Sequence, residues 1–375
     1  MKKERPYNSS LLFAAAALML LSPALRLFPQ LAAQLAGRSA WVSALAAAPV
    51  LAAYSLFLSR FDLCAADGET APELIVRACG EKLGRAVLWI FSLWFLLYGA
   101  FVLRSGADRL ITTVYPGAPP LFFIIVTGVL GTWAALGRIV TVERTAKLIA
   151  PVIAAVLGVI LVSGVLSADR AAILPVTVYD AVPILRGAAA AADVVSAAMY
   201  GAFFISLSPG HKKSTLRSRI CRSALACVFL GVLCAAVIGS FGAELTGRLV
   251  HPFFSLVRNL KLFGSRMRVD AFVVALWVFP DFVIFSVFLW MGQACLRRAV
   301  GYRDDGSGAS RLDMQNGRGI IPAAGLAAMV AAALMAKDAG TLSLWSDRAI
   351  PAINLVFAFA LLPGVYVIGK LKRRI

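Results

Sequence analysis

Residues 10–36 read SLLFAAAALMLLSPALRLFPQLAAQLA, and this stretch decides which class of fold the chain can adopt. It is longer than the about 20 apolar residues that cross a bilayer as a helix. Its one charged residue is Arg26, and Pro23 stands just before it. Because proline lacks a backbone donor and clashes with the preceding turn, we predict a membrane helix broken here, with free carbonyls around Met19 to Ser22. The alternative is a packed helix kinked at Pro23, with the Arg26 side chain extending toward the membrane surface.

The same apolar composition recurs along the 375-residue chain. Hydrophobic residues make up 60% and charged residues 15%, and the mean hydropathy is +0.83. A soluble domain carries about 25% charged residues, so the composition excludes a soluble enzyme, a disordered chain and a secreted disulfide scaffold. We predict an all-α polytopic membrane protein, a single integral membrane domain over residues 1–375 with ten transmembrane helices. The predicted segments are approximately residues 10–36, 40–59, 86–112, 119–136, 146–166, 184–207, 220–242, 269–296, 320–336 and 348–369.

The charge balance predicts the orientation in the membrane. The chain has 37 Lys and Arg against 19 Asp and Glu, a net charge of +18. A basic soluble protein would suggest nucleic acid, but cytoplasmic loops of membrane proteins also accumulate Lys and Arg. With the N-terminus inside, the cytoplasmic segments carry 24 of these residues and the outside segments 12. We therefore predict cytoplasmic N- and C-termini, a bilayer as the surroundings, and no nucleic acid partner.

Polar residues at bilayer depth mark candidate functional positions, since each is costly there unless it is paired or faces water. The sixth predicted segment contains Asp193, Ser196 and Tyr200 in apolar surroundings, with Pro183 and Pro209 near its ends. Broken helices at corresponding places in two halves are a sequence sign of a binding site at the midplane of a transporter. We therefore expect the sixth segment to be interrupted as the first one is.

Segments one and six are each the first of five, which predicts a five-plus-five inverted repeat. Repeat one covers about residues 10–166 and repeat two about residues 184–369. We expect polar groups of both repeats to line one cavity near the bilayer centre. The candidate ligand-binding residues are Ser22, Pro23, Arg26, Tyr98, Asp193, Ser196 and Tyr200.

A further carboxylate, Asp281, lies in the middle of the predicted segment 269–296. A lone buried carboxylate must pair, accept hydrogen bonds or take up a proton, so Asp281 is a candidate residue for coupling or gating. The alternative is a structural ion pair with an arginine near a helix end. Arg104, Asp108 and Arg109 end the third segment, where we predict a pair between Arg104 and Asp108 at a spacing of four.

The remaining polar motifs give no sign of chemistry on a substrate. Glu143, together with Arg138, Arg144 and Lys147, is predicted to lie in a short cytoplasmic loop as a topology signal. The six Cys and two His form no CxxC motif or Cys/His cluster, and no phosphate-binding loop, HExxH or GxSxG motif occurs. We therefore expect no enzymatic activity, no cofactor and no metal site.

Four stretches, in order, resemble the spore germination permease family, the GerAB-type B subunits of nutrient germinant receptors, within the amino acid–polyamine–organocation superfamily. The resemblance spans nearly the whole chain. The stretches are Ala36-Gly-Arg-Ser-Ala-Trp41 after the opening helix; Val102-Leu-Arg104 through Tyr115-Pro-Gly-Ala-Pro-Pro120; Gly137-Arg138 with Glu143-Arg144-Thr-Ala-Lys147 and Pro151; and His251-Pro252, Leu256-Val-Arg258, Arg266, Asp270-Ala-Phe272 and Trp277.

The resemblance implies a LeuT-like fold, residence in the inner membrane of an endospore, and assembly with an A-type membrane subunit and a C-type lipoprotein subunit. It implies that the chain senses a nutrient, often an amino acid, and triggers germination. Related permeases place a Gly-rich break in the first helix, where this chain has Leu20-Leu-Ser-Pro-Ala-Leu25. Arg26 could supply the positive charge for a ligand carboxylate instead.

Two other functions remain open at this point. The first is a secondary transporter of amino acids or amines, coupled to protons through Asp281 or Asp193. The second is a water or ion conduit along the same interrupted helices. Because one scaffold hosts several functions, the fold alone does not choose among them.

Overall fold

The computed structural model describes residues 9–137, 139–208, 210–211, 214–259, 273, 276–302, 320–335 and 339–375, and within these ranges the chain forms helices and turns without strands. The helices are α1 Ser9–Arg26, α2 Phe28–Ala36, α3 Ala40–Ala46, α4 Ala48–Leu63, α5 Ala71–Cys79, α6 Glu81–Thr113, α7 Pro120–Leu136, α8 Ile139–Leu166, α9 Arg170–Ile173, α10 Ala181–Ser206, α11 Leu216–Phe241, α12 Ala243–Arg248, α13 Pro252–Asn259, α14 Val278–Val300, α15 Ile320–Met335, α16 Ala339–Leu344, α17 Ile350–Val356 and α18 Leu362–Leu371.

The apolar helices confirm the all-α membrane prediction. Among the described residues, seven helical stretches are long and apolar enough to cross a bilayer, and α1, α7 and α15 are shorter apolar helices of 18, 17 and 16 residues. The three shorter ones fall below the about 20 residues of a full crossing. The count of ten transmembrane helices therefore stays a prediction.

Two helices organise the packing around the polar residues. α6 packs along α14, and α1 packs against α8, α10 and α14. The side chains between them are largely aromatic and buried. The buried aromatic residues at this centre include Phe95, Phe101, Phe203, Phe285 and Phe288.

The first helix differs from its predicted form. α1 continues through Pro23 to Arg26, and the interruption comes at Leu27, where the chain turns into α2. The Leu27 amide still donates to the Pro23 carbonyl at 2.9 Å. Proline removes only its own donor, and the following turn keeps its hydrogen bond. The predicted unwound segment around Met19 to Ser22 is therefore wrong. The alternative correctly kept the helix packed and continuous, but its expectation that Arg26 extends toward the membrane surface is wrong, because Arg26 is buried and donates to Ser105.

The sixth predicted segment is also continuous. α10 runs from Ala181 to Ser206 without a break, because Pro183 occupies its first turn, where proline is tolerated. Asp193, Ser196 and Tyr200 therefore project from a regular helix. The expectation of an interruption among these three residues is wrong.

The fifth predicted segment begins seven residues earlier than expected. α8 starts at Ile139, so Glu143 and Lys147 belong to a helix and not to a loop. Glu143 is fully buried. Its interpretation as a loop signal is wrong, and its buried contact is described below. Four sequence features lie outside the described residues: Arg138, Pro209, Arg266 and the stretch 270–272.

Candidate functional site

The first polar cluster, here called the Asp281 network, consists of Ser22, Arg109 and Asp281. The Ser22 hydroxyl donates to one carboxylate oxygen of Asp281, and the Arg109 guanidinium donates to the other. All three side chains are buried. The network therefore ties α1, α6 and α14 together, and the structural alternative proposed for Asp281, an ion pair with an arginine near a helix end, is observed.

The position of Asp281 also differs from the prediction. Asp281 lies in the first turn of α14, which begins at Val278. Its close approach to α6 depends on Gly106, because a Cβ at that position would lie 2.8 Å from Asp281 Oδ2. A glycine one turn before Arg109 thus makes room for the carboxylate. The predicted pair between Arg104 and Asp108 is confirmed, with Arg104 Nη1 3.7 Å from Asp108 Oδ1.

Arg26 lies beside this network and keeps an uncompensated charge. Its Nη1 donates to the Ser105 hydroxyl, and its guanidinium lies 4.6 Å from the centre of the Phe101 ring. The side chain is buried, yet its Nε and Nη2 have no hydrogen-bond partner, and no carboxylate of the described residues lies within 4.0 Å of it. Burying a cation without a counter-ion is costly, so the arrangement favours an anionic group next to Arg26.

The second cluster, here called the Asp193 network, joins α6, α10 and α17. Its centre is Asn354, whose Nδ2 donates to Asp193 Oδ1 at 2.6 Å. The Tyr200 hydroxyl donates to Asn354 Oδ1 at 2.7 Å and accepts from Trp94 Nε1 at 3.4 Å. Ser196 Oγ lies 3.3 Å from the same Asn354 nitrogen. Within the described residues Asp193 forms no ion pair, so this end of the site is acidic.

Asn354 is a candidate site residue that sequence reasoning missed. It lies in the predicted segment 348–369, where an amide at bilayer depth was the available signal. The helix around it is irregular, because π-helical turns at Trp345–Ala349 and Phe357–Leu361 flank α17 on both sides. Such π-bulges are frequent at functional sites. The irregularity therefore adds this part of the last membrane segment to the candidate site.

Tyr98 of α6 stands between the two networks. Its ring contacts Trp94, which donates to Tyr200, with centroids 5.5 Å apart, and Phe101, which lies under the Arg26 guanidinium, with centroids 6.4 Å apart. Its ring stacks on Phe288 of α14, with centroids 4.4 Å apart and planes 16° apart. This packing places the Tyr98 ring between aromatic neighbours of the two networks.

The structure thus divides the sequence-predicted residues into two groups. Ser22 and Arg26 lie near Asp281, whereas Ser196 and Tyr200 belong to the Asp193 network, and Tyr98 separates the groups. Pro23 belongs to neither group. Its carbonyl accepts a hydrogen bond from the Leu27 amide within the backbone of α1.

The far end of α10 carries two further buried contacts. Arg219 of α11 donates to Asp62 of α4 at 2.8 Å. His211 Nε2 lies 2.7 Å from Glu143 Oε2 of α8, and His211 Nδ1 lies 2.8 Å from the Ser208 hydroxyl. These contacts join α4, α8, α10 and α11 at the end of the bundle away from Asp281.

The arrangement suits ligand binding and charge movement. Among the described residues, no group of three or more His, Cys, Asp or Glu side chains could hold a metal ion. The available chemistry is that of two oppositely charged groups held apart in an apolar bundle.

Comparison with solved structures identifies the fold. A Na⁺-coupled sialic acid symporter in a substrate-bound outward-open state superposes with a TM-score of 0.57, at 14% identity, covering 98% of this chain and 82% of that one. MhsT in complex with L-phenylalanine superposes with a TM-score of 0.57, at 15% identity, covering 96% and 99%. At these identities the likeness shows the fold alone, and the fold is LeuT-like.

Sequence comparison identifies the family. Spore germination protein KB of Bacillus subtilis (strain 168) is 24% identical over 270 residues, which are 68% of this chain and 69% of that protein. The profile of the spore permease family, described as spore germination protein, matches residues 8–304. Since this match covers most of the sequence, the chain belongs to the spore germination permease family.

Proposed function

We propose that the chain is the ligand-sensing subunit of a nutrient germinant receptor built on a transporter fold. The observation that carries this proposal is Arg26, a buried guanidinium with two unpartnered nitrogens and no carboxylate of the described residues within 4.0 Å. Membership of the spore germination permease family supports a role in a germinant receptor system.

The proposed ligand is a small zwitterion, with an amino acid as the first candidate. Its carboxylate would accept hydrogen bonds from the free nitrogens of Arg26, and charge-assisted bonds of this kind are about twice as strong as neutral ones. Its ammonium group would face Asp193, which forms no ion pair within the described part of the chain and is bonded to Asn354.

In this proposal the Asp281 network acts as the gate next to the ligand. Ser22 lies on the same helix as Arg26, one turn away, and joins α1 to α14 through Asp281. A ligand that pulled the Arg26 side chain away from Ser105 would strain the contact between Ser22 and Asp281. Asp281 is therefore our candidate gating residue, acting through helix contact.

The proposed setting follows from the family. We propose assembly with an A-type membrane subunit and a C-type lipoprotein subunit in the inner membrane of the endospore, with both termini cytoplasmic. Reciprocal affinity purification of the tagged chain from spores tests this assembly. Both subunits should be recovered in comparable amounts, and recovery of neither would contradict it.

A binding experiment tests the function. The purified chain in lipid nanodiscs is heated with each L-amino acid at millimolar concentration and, separately, with the matching amine and carboxylic acid. A bound ligand raises the midpoint temperature of thermal unfolding, and the rise grows with the ligand concentration relative to its Kd. We expect one or a few amino acids to raise this midpoint. The matching amine and the matching carboxylic acid should leave it unchanged. Stabilisation by the amine alone would contradict the role of Arg26.

A proton-coupled transporter is the second candidate, and the buried Asp193 without a basic partner favours it. A carboxylate in such surroundings can carry a proton through the transport cycle. Proteoliposomes with an imposed pH gradient and a labelled amino acid separate the two functions. A receptor should bind without accumulating label, whereas gradient-dependent accumulation abolished by Asp193→Asn would establish transport.

A further inference from the structure

An intramembrane groove lies apart from the two polar networks, between α1, α8, α10 and α11. Its volume is about 610 Å³. Apolar side chains line most of its length, such as Leu18 and Leu21 of α1, Leu157 of α8 and Met199 of α10. Such a wall binds hydrocarbon in preference to a polar solute.

The polar lining residues gather at one end of this groove. Lys147 of α8, Ser214 before α11, and Arg219 and Arg222 of α11 lie there, and none of the described residues that line the groove is acidic. Arg219 is neutralised by Asp62. Arg222 donates to the Ser214 hydroxyl and to the Ser218 carbonyl, contacts that leave its charge uncompensated. The groove is therefore apolar along its length and cationic at its mouth.

The groove is also open toward the membrane. Phe13, Ala154 and Leu225 line it and are exposed. A Cβ added at Gly158, another lining residue, would meet no atom within 4 Å. Its wall on α1 extends from Ser10 to Leu21, about 17 Å at a rise of 1.5 Å per residue. This length is close to half of the about 30 Å hydrocarbon core, that is, to one leaflet.

We propose that this groove binds an anionic phospholipid, with one acyl chain between α1 and α8 and the phosphate between Lys147 and Arg222. Charge complementarity selects the headgroup, because the described residues of the mouth offer the cations Lys147 and Arg222 without a carboxylate. The groove selects an amphiphile, because only its mouth is polar. Basic pockets between membrane helices on the cytoplasmic side bind anionic headgroups in this way. The mouth lies at the end of the bundle that the Lys and Arg count predicts to be cytoplasmic.

A lipid in this position would touch the helices that carry the candidate site. Leu18 and Leu21 lie on α1 just before Ser22 and Arg26, and Val195 and Met199 lie on α10 between Asp193 and Tyr200. The proposal does not depend on which ligand the site takes. In this proposal, the lipid composition of the bilayer affects the packing of both α1 and α10.

Photocrosslinking tests the proposal. The full chain is reconstituted into liposomes containing phosphatidylglycerol with a photoactivatable acyl chain, and crosslinked peptides are mapped by mass spectrometry. Phosphatidylcholine with the same chain is the comparison. We expect phosphatidylglycerol to label peptides from residues 12–21, 150–161 and 223–229 at several times the yield of phosphatidylcholine. Absence of label from these peptides, or equal labelling by both lipids, would overturn the proposal.

Variants identify the contribution of the mouth. Lys147→Gln and Arg222→Gln should each reduce phosphatidylglycerol labelling about five-fold, corresponding to about 1 kcal/mol for one basic residue near an anionic headgroup. Arg217→Gln removes an exposed charge from the same helix outside the groove, and should leave labelling unchanged. Gly158→Phe should block both lipids by filling the groove. An equal loss in Arg217→Gln would show that labelling follows surface charge alone and would contradict the site.

Discussion

Arg109 of α6 donates to the carboxylate of Asp281 in α14, and both side chains are buried. With Ser22 bonded to the same carboxylate, this ion pair links three helices of the bundle. Removing one member of a buried pair leaves an uncompensated charge and costs about 3–5 kcal/mol.

We therefore expect Asp281→Asn to lower the thermal midpoint of the purified chain strongly. Arg109→Met combined with Asp281→Leu should restore much of the loss, because neither charge then remains buried. The measurement is the midpoint of each single variant, the double variant and the wild type in the same detergent. A wild-type midpoint for Asp281→Asn, together with an altered response to nutrient, would show that the residue acts in gating and contributes little to stability.

Arg26→Gln should separate ligand binding from stability. We expect the loss of about 1.5–3 kcal/mol of ligand binding, the range for a hydrogen bond to a charged group, which is a decrease in affinity of about ten- to a hundred-fold. The thermal midpoint without ligand should not fall, since an unpaired buried cation has been removed. Arg38→Gln, at an exposed position, is the matched control and should change neither quantity. Wild-type affinity in Arg26→Gln would remove Arg26 from the ligand site.

Substitution of Asn354 should destabilise the Asp193 network more than substitution of its hydroxyl-bearing neighbours. Asn354→Leu removes the donor to Asp193 and the acceptor for Tyr200, and we expect a destabilisation of about 1–3 kcal/mol with loss of ligand binding. Tyr200→Phe removes one hydroxyl and should cost about 1 kcal/mol. Thermal midpoints and ligand titrations of the two variants measure the difference. Equal effects would contradict the central place of Asn354.

Gly106→Ala should disturb the buried ion pair without changing its members. The added Cβ would lie 2.8 Å from Asp281 Oδ2, so the carboxylate must move, at a typical overpacking cost of about 1–3 kcal/mol. Gly364→Ala adds the same methyl group where no atom lies within 4 Å. It should stabilise α18 by about 0.5–1 kcal/mol. A midpoint for Gly106→Ala at or above that of Gly364→Ala would show that the pair tolerates the crowding.

We expect His251 to make the stability of the bundle depend on pH. It lies between α12 and α13, where burial, followed by the positive charges of Arg109 and Arg26, lowers its pKa to about 3. The unfolded chain, with a His pKa near 6.5, binds this proton more readily, so stability falls as the pH decreases from about 6.5 toward 3. Above pH 7 both states are neutral and the effect vanishes.

The check is the thermal midpoint of the wild type and of His251→Gln between neutral and mildly acidic pH. The difference in thermal midpoint between the wild type and His251→Gln should be constant above pH 7. Below pH 6 the midpoint of the wild type should fall relative to that of the variant. A difference that stays constant over the whole range would contradict the burial of a neutral imidazole.

Composition and apolar run length were sufficient to predict the membrane class and the helical fold. They were not sufficient for helix continuity, because Pro23 and Pro183 suggested breaks that the flanking hydrogen bonds prevent. Proline limits only its own donor and the preceding turn. Whether the helix then continues depends on packing against α8, α10 and α14, which local sequence does not encode.

Polar residues at bilayer depth were good markers of the site but poor guides to its pairing. Asp281 was recognised as out of place, and its partner Arg109 lies 172 positions away along the chain. Glu143 looked like a loop residue because basic neighbours surround it, and His211, its partner, follows a different helix. Long-range pairing of this kind follows from the order of the helices in space.

The uninterrupted course of α10 makes this helix a rigid connection between Asp193 and the buried contacts that follow its C-terminal end. Asp193 and Ser206 are 13 residues apart, so the ligand end and the end carrying Ser208 and His211 are separated by about 20 Å of continuous helix. A rigid rod of this kind cannot absorb a rotation at one end by unwinding in the middle. We therefore expect a tilt imposed by an occupant near Asp193 to reach the buried contacts with Glu143 and Arg219, so that this helix would transmit a displacement over that distance without any solute being carried.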